Sequence, residues 1–401
     1  MAKNRVITYI KKGINQTADI FIHECKSVFT DGGVMLIFFI AGLLYPLLYS
    51  YVYMTESVDN VNVAVIDESC SEASRRFIQK LSSTREVEVI NCINMDEAQK
   101  MFVRRDVHGI VLIPRDYNDK LMHNEQATIS MYENMSCFMV YKSIALAVNM
   151  VMLDESKNIQ LKRYEQKNII GEQGLQMVKP LPYEENILYN PGNGFSSFFV
   201  PGILMIIIHQ LLFLGIGMLA GTAREENAYG KLFMGYKNGR GLYRIVFGKS
   251  AAYFLIYAIL AVYIVVIVPR IFNIPHIGNV LDIYGLLLPF LLATIFFSMT
   301  ISVVIKNRET GMVMFLFFSV ILVFLSGISW PYSNFPKFWT YFSYIFPSTF
   351  GVRGYIKINS MAATLGQVAP EYWALWLQVI IYYFTACGAT YWAFRREIKK
   401  K

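Results

Sequence analysis

Hydrophobic positions along this chain follow two different patterns. Six stretches are apolar almost without interruption: 34–53, 198–220, 245–268, 286–305, 312–329 and 372–394. Each approaches the roughly 20 residues that carry an α-helix across a bilayer, so six transmembrane helices are predicted. The segment between the first two, residues 54–197, is built differently. Residues 61–67 (VNVAVID) predict a buried strand, 71–81 a helix, 86–90 a second strand, 108–113 a third stopped by Pro114, and 127–132 a fourth. Asn94 is placed to cap a helix, with Glu97 three residues on as its reciprocal partner. Over 137–166, Val140, Ile144, Ala147 and Val151 recur at helical spacing and predict one long helix. Strands alternating with helices predict an α/β domain, with the strand order left open. The expected fold is a polytopic α-helical membrane protein with an α/β extracytoplasmic domain inserted between its first and second transmembrane helices.

Composition agrees with a membrane chain. Of 401 residues, 55% are hydrophobic and only 16% charged, against about 25% charged in a soluble domain. Mean hydropathy is +0.38. These values exclude a disordered chain and a simple cytosolic enzyme. The first apolar stretch starts too late and runs too long for a cleaved signal peptide. The net charge of +8 is explained by topology. The N-terminus, the loop after the second stretch, the loop after the fourth and the C-terminal tail carry 17 Lys and Arg, against four in the short loops between. Positive charge collects on the cytoplasmic side, so both termini are expected there and 54–197 outside. No nucleic acid is needed to account for the basic balance.

Little in the inserted segment points to chemistry. Asp67-Glu68 reads either as paired carboxylates or, more simply, as a solvated turn before a helix. His108 and His123 lack partners at metal-ligand spacing. The five cysteines form no CxxC, and a Cys70–Cys92 bridge is left open by the sequence. Gly248-Lys249-Ser250 resembles the end of a phosphate loop, but Tyr243 stands where that loop needs its first glycine. His23-Glu24 lacks the second histidine of a zinc-protease helix, and no GxSxG elbow occurs. His209-Gln210 lies inside the second stretch, where a polar pair must face the bundle or a cavity.

Three constellations flank the apolar stretches. Residues 17–30 predict an amphipathic interfacial helix with Phe21, Cys25, Val28 and Phe29 on one face and His23, Glu24 and Lys26 off it. Arg224-Glu225-Glu226-Asn227-Ala228-Tyr229-Gly230-Lys231-Leu232-Phe233 predicts a short protruding helix suited to a cytosolic partner's groove. After the fifth stretch, nine aromatics fall within 330–346, interrupted by Pro331 and Pro336 and followed by Pro347. Aromatic rings favour the headgroup level and prolines forbid one continuous helix. A re-entrant element of short helices over 330–350 is expected.

At these residues the chain resembles the permease subunit of ABC-2-type exporters along nearly its whole length. The resemblance rests on Arg224-Glu225 with Gly230, Gly248-Lys249 at the start of the third stretch, Ser326-Gly327, Pro331, Phe335-Pro336, Pro347-Ser348-Thr349 and Arg353-Gly354. Asn227-Ala228-Tyr229 departs from the family's usual Gly-Thr-rich loop end. The resemblance implies a domain layout of 1–33 (cytoplasmic N-terminus and interfacial helix), 34–53 (first transmembrane helix), 54–197 (outer domain) and 198–401 (five helices, with a coupling loop at 221–244). It implies a non-catalytic subunit that binds no cofactor, with ATP and magnesium held by two copies of a cytosolic ABC ATPase. A second permease subunit, self or sister, and membrane lipids are the further partners. A periplasmic adaptor protein with an outer-membrane channel is a candidate partner for the outer domain. The location implied is the bacterial inner membrane.

Carried onto this chain, ATPase coupling falls on Arg224, Glu225, Glu226, Tyr229, Gly230 and Phe233, with Glu24 from the interfacial helix. The substrate pathway falls on His209, Gln210 and Ser326. The outer re-entrant segment is marked by Gly327, Pro331, Pro336, Trp339, Pro347, Thr349 and Arg353. The competing reading is a membrane sensor or scaffold whose outer domain binds a ligand or partner protein.

Overall fold

The computed structural model describes residues 2–182, 186–192, 194–226 and 241–400. The chain divides into two compact units, Thr55–Leu188 and a second made of Met1–Met54 with Tyr189–Lys401.

In the first unit four strands form one sheet: β1 Val61–Asp67, β2 Val87–Cys92, β3 Gly109–Ile113 and β4 Ser130–Glu133. Their order is β2-β1-β3-β4. β1 is parallel to β2 and β3, and β4 is antiparallel to β3. Because alternate residues of a strand point to opposite faces, β1 feeds two cores. Val63 and Val65 pack with Phe77, Leu81, Ile144 and Val148, while Ala64 and Ile66 pack with Ala98 and Val107. A strand covered on both faces reads as the unbroken apolar run seen in its sequence. Helices Glu72–Ser82 and Phe138–Glu165 cover the first face and Met95–Arg104 the second. Lys80 and Arg76 reach the buried Glu155 at 2.6 and 3.3 Å and so clamp the first two helices together.

Local capping explains the helix starts. Ser71 and Ser74 form a reciprocal capping box. Asn94 accepts from the Glu97 amide at 2.9 Å, but the Glu97 carboxylate reaches the Ile93 amide rather than that of Asn94. Asp67 accepts from the Ser69 and Cys70 amides and from Ser74 Oγ. It is therefore a turn-forming acid, and Glu68 lies 3.7 Å from Arg115 instead of pairing with it in chemistry. Cys70 and Cys92 are both free thiols, one exposed and one buried.

The second unit is helical. Among the described residues six of its helices are long and apolar enough to cross a membrane: span 1 Gly32–Val52, span 2 Phe195–Glu225, span 3 Leu242–Ile271, span 4 Val280–Ser302, span 5 Arg308–Leu325 and span 6 Ala369–Arg396. Span 2 is the hub. Of its most apolar stretch 89% is buried, against 17% for span 5, and it packs on spans 1, 4 and 5 and on helix Pro347–Met361. Spans 1 and 3 each contain a wider π turn, Leu36–Ala41 and Tyr263–Ile267, a feature often found where helices must adjust locally. After span 5 the chain breaks into the short helices Tyr332–Asn334, Lys337–Ser343 and Pro347–Met361.

Candidate functional site

The N-terminal helix, Ala2–Thr30, lies along span 3. Its buried seam is Gly13, Ile20, Glu24 and Val28. This corrects the expected face: Phe29 is exposed, Phe21 and Cys25 are half-buried, and the charged Glu24 is only 3% exposed. Gly248 permits the close approach, since a Cβ there would meet the Thr17 carbonyl oxygen at 3.0 Å and Ile20 at 2.9 Å. The next residue, Lys249, then reaches Glu24 at 2.9 and 3.0 Å, and the Tyr253 hydroxyl donates to the same carboxylate. A lysine inside an apolar helix thus has its counter-charge on a neighbouring element, as desolvated charges require.

A second ion pair sits where spans 1, 2 and 5 meet. Asp31 caps span 1 by accepting from the Gly33 and Val34 amides at 3.0 and 3.1 Å. The same carboxylate accepts from Arg308 at 2.9 Å and from Thr222 Oγ1 at 3.3 Å. Glu225 accepts from the Arg308 amide at 3.0 Å, and the Arg224 guanidinium donates to the Ile305 carbonyl. One acid therefore ties the start of span 1 to the end of span 2 and the start of span 5. Beside it is a cavity of about 490 Å³ lined by Glu24, Asp31, Glu226, Lys249 and Arg308, among others. The loop positions Tyr229, Gly230 and Phe233 lie outside the described residues.

The mid-bundle candidates are held separately. His209 is fully buried, edge-on to Phe297 at 5.6 Å, with neither ring nitrogen partnered. Gln210 donates to the Ser319 carbonyl of span 5 at 3.2 Å. Ser326 bonds within its own turn, to the Val323 carbonyl at 2.7 Å.

The aromatic segment is bolted to itself. Gly327 takes φ +85°, which lets the chain turn sharply out of span 5. Pro331 opens the turn Tyr332–Asn334, Pro336 caps Lys337–Ser343, and Pro347 starts the last helix. The Arg353 guanidinium stacks over the Tyr332 ring at 3.0 Å. The Tyr332 hydroxyl pairs with Ser343 Oγ at 2.6 Å, and Thr349 donates to the Ser343 carbonyl at 2.7 Å. Trp339 is packed edge-on to Phe338 and Phe342 while half of it stays exposed.

Sequence reasoning missed Asp31, Lys249 and Tyr253. A lysine in one apolar run and an acid in a neighbouring amphipathic helix were the available signal, because each needs the other. Among the described residues no cluster of three His, Cys, Asp or Glu could hold a metal ion.

A search of curated proteins returns no significant match. A family model described as "ABC-2 family transporter protein" matches residues 33–387, a range that takes in the six spans save the first residue of the first and the end of the last, and the whole unit inserted after the first. With six membrane-crossing helices, an N-terminal helix tied to their mouth by charge, and that match over most of its length, the chain belongs to the ABC-2 family of transporter proteins.

Proposed function

We propose that this chain is the permease subunit of an ATP-driven exporter that moves an amphiphile, such as a lipid, drug or peptide, outward across a bacterial inner membrane. Two copies of a separate cytosolic ABC ATPase supply and hold ATP and magnesium, and a second permease completes the gate. Both termini are cytoplasmic in this reading and Thr55–Leu188 lies outside, as the distribution of Lys and Arg supports.

The observation that carries the reading is the charged node. Asp31 contacts three spans at one point, and the Glu24–Lys249 pair couples the N-terminal helix to a fourth. Both sit at the ends that flank the loop after span 2. A push on that loop by a closing ATPase pair reaches all four spans through short polar contacts, and packed elements of this kind respond by shifting as bodies. The bundle is then biased toward whichever state those contacts favour.

The test is a reconstituted complex of permease and its host ATPase with a fluorescent lipid as cargo. Replacing Glu225 and Glu226 with Ala leaves ATP hydrolysis running while cargo movement falls. Unchanged transport in the double variant contradicts the reading.

A further inference from the structure

Among the described residues of the helical unit several buried polar side chains, Tyr257 and Ser50 included, have heteroatoms without a partner, and three of them are His209, Thr294 and Ser348. Each is at most 1% exposed. Buried polar groups are nearly always hydrogen-bonded, so three together call for an explanation.

The packing places them at one level. Helix Pro347–Met361 runs antiparallel to span 4: Gly354 lies against Leu286, Gly351 against Phe290, and Phe346 against Phe297, with ring centroids 5.9 Å apart. Ser348 therefore comes level with Thr294. On span 2, Gly202 lies beside Ile356. Two turns further on, at equal rise per residue, His209 comes level with the first turn of helix Pro347–Met361. The edge contact of His209 with Phe297 fixes the same depth.

At that depth lies the N-terminus of a 15-residue helix whose cap residue, Phe346, supplies no side-chain hydrogen bond. Pro347 brings no N–H and the Thr349 amide donates to the Phe346 carbonyl at 3.1 Å, so it is the positive end of the helix dipole that favours negative charge there. The hydroxyls of Thr294 and Ser348 are donors, and the imidazole offers a ring N–H in either protonation state. Phe297, which His209 meets edge-on, belongs to a set of rings with Phe213, Phe318 and Phe346, linked at 5.0 to 6.2 Å. Donors at one depth beside an aromatic cluster suit a molecule with an acceptor headgroup and an apolar tail.

We infer that His209, Thr294, Ser348 and the N-terminus of helix Pro347–Met361 form a site for the oxyanion headgroup, carboxylate or phosphate, of an amphiphilic cargo. The site is closed in this conformation and opens when spans 2 and 4 part from the helix. This rests on the transport reading and names its substrate class.

The experiment uses the full chain without any ATPase, labelled with ¹⁵N-histidine in lipid nanodiscs. The five histidines give few signals, and His209→Gln assigns one of them. Palmitate or hexadecyl phosphate shifts the His209 signal saturably. Free acetate, inorganic phosphate and monopalmitoyl glycerol do not. Ser348→Ala and the near-isosteric Thr294→Val each raise the half-saturation concentration about tenfold, the loss of one good hydrogen bond. The remaining histidine signals stay in place and report an intact fold. No shift with either amphiphile overturns the site, as does an equal shift with the free anions or the uncharged ester, or unchanged half-saturation in both variants. Because no ATPase is present, these failures leave ATP-driven transport standing.

Discussion

Replacing Lys249 with Met isolates the energetics of the node. The Glu24 side chain is 4% exposed and that of Lys249 16%. Removing the lysine leaves a buried carboxylate whose remaining donor is the Tyr253 hydroxyl. Breaking one side of a buried pair costs about 3–5 kcal/mol. The retained tyrosine bond and the partial exposure of Lys249 point to the low end, about 3 kcal/mol. Restoring neutrality reverses most of this. In the double variant Glu24→Gln, Lys249→Met the amide still accepts from Tyr253 and no charge is stranded, so stability returns to within about 1 kcal/mol of the parent, since neutral replacements of buried pairs are often harmless. The assay is the thermal midpoint in nanodiscs followed by fluorescence-detected size exclusion. By the usual scaling the single variant falls by roughly 6–12 °C and the double by a third of that or less. A single variant with an unchanged midpoint, or a double as unstable as the single, would show that the pair is not a buried, mutually dependent unit.

Other outcomes follow from the same geometry. Gly351→Val drives a side chain into the Phe290 ring and destabilises the bundle by about 1–3 kcal/mol, read as a lower thermal midpoint, whereas Gly32→Val, with nothing within 4 Å, has little effect. In the Thr55–Leu188 unit, the hydrogen bond from Lys80 holds the Asp154 carboxyl below its ordinary range, and that contribution is lost as pH falls through the depressed value. Burial pushes the Glu133 carboxyl up, so it favours the fold when protonated and that contribution is lost as pH rises from the ordinary carboxylate range through the raised value. Denaturant titrations against pH therefore flatten on the acid side for Asp154→Asn and on the other side for Glu133→Gln. Exposed Cys70 reacts with maleimide without reductant, while buried Cys92, its thiol pushed up by burial, reacts only after unfolding; a blocked Cys70 contradicts the free-thiol assignment.

The spans were legible because uninterrupted apolarity over about 20 residues has few other uses. The run 34–53 becomes Gly32–Val52, and 245–268 becomes Leu242–Ile271. β1 was legible to the residue, since both its faces are covered. Glu24 was not, and the reason is the solvent. In water the apolar face of a helix marks the protein interior. Beside a bilayer, Phe29, Ile22 and Ile14 are free to stay exposed while a charge turns inward to its partner, so hydrophobicity no longer tells inside from outside. Thr294 and Ser348 were invisible for another reason. A lone hydroxyl in an apolar helix breaks no pattern, and its depth relative to His209 is set by the packing of helix Pro347–Met361, which no local spacing encodes.

In the proposed mechanism this permease is moved by another subunit's nucleotide through the Asp31 and Glu24 contacts. The most direct measurement compares cargo moved per ATP hydrolysed by the reconstituted complex for the parent and for Asp31→Asn, with the chain alone alongside. The expected outcome is no hydrolysis by the chain alone, a finite ratio for the parent complex, and a ratio cut at least severalfold in the variant while hydrolysis persists. Hydrolysis by the chain alone, or the parent ratio retained in Asp31→Asn, contradicts it.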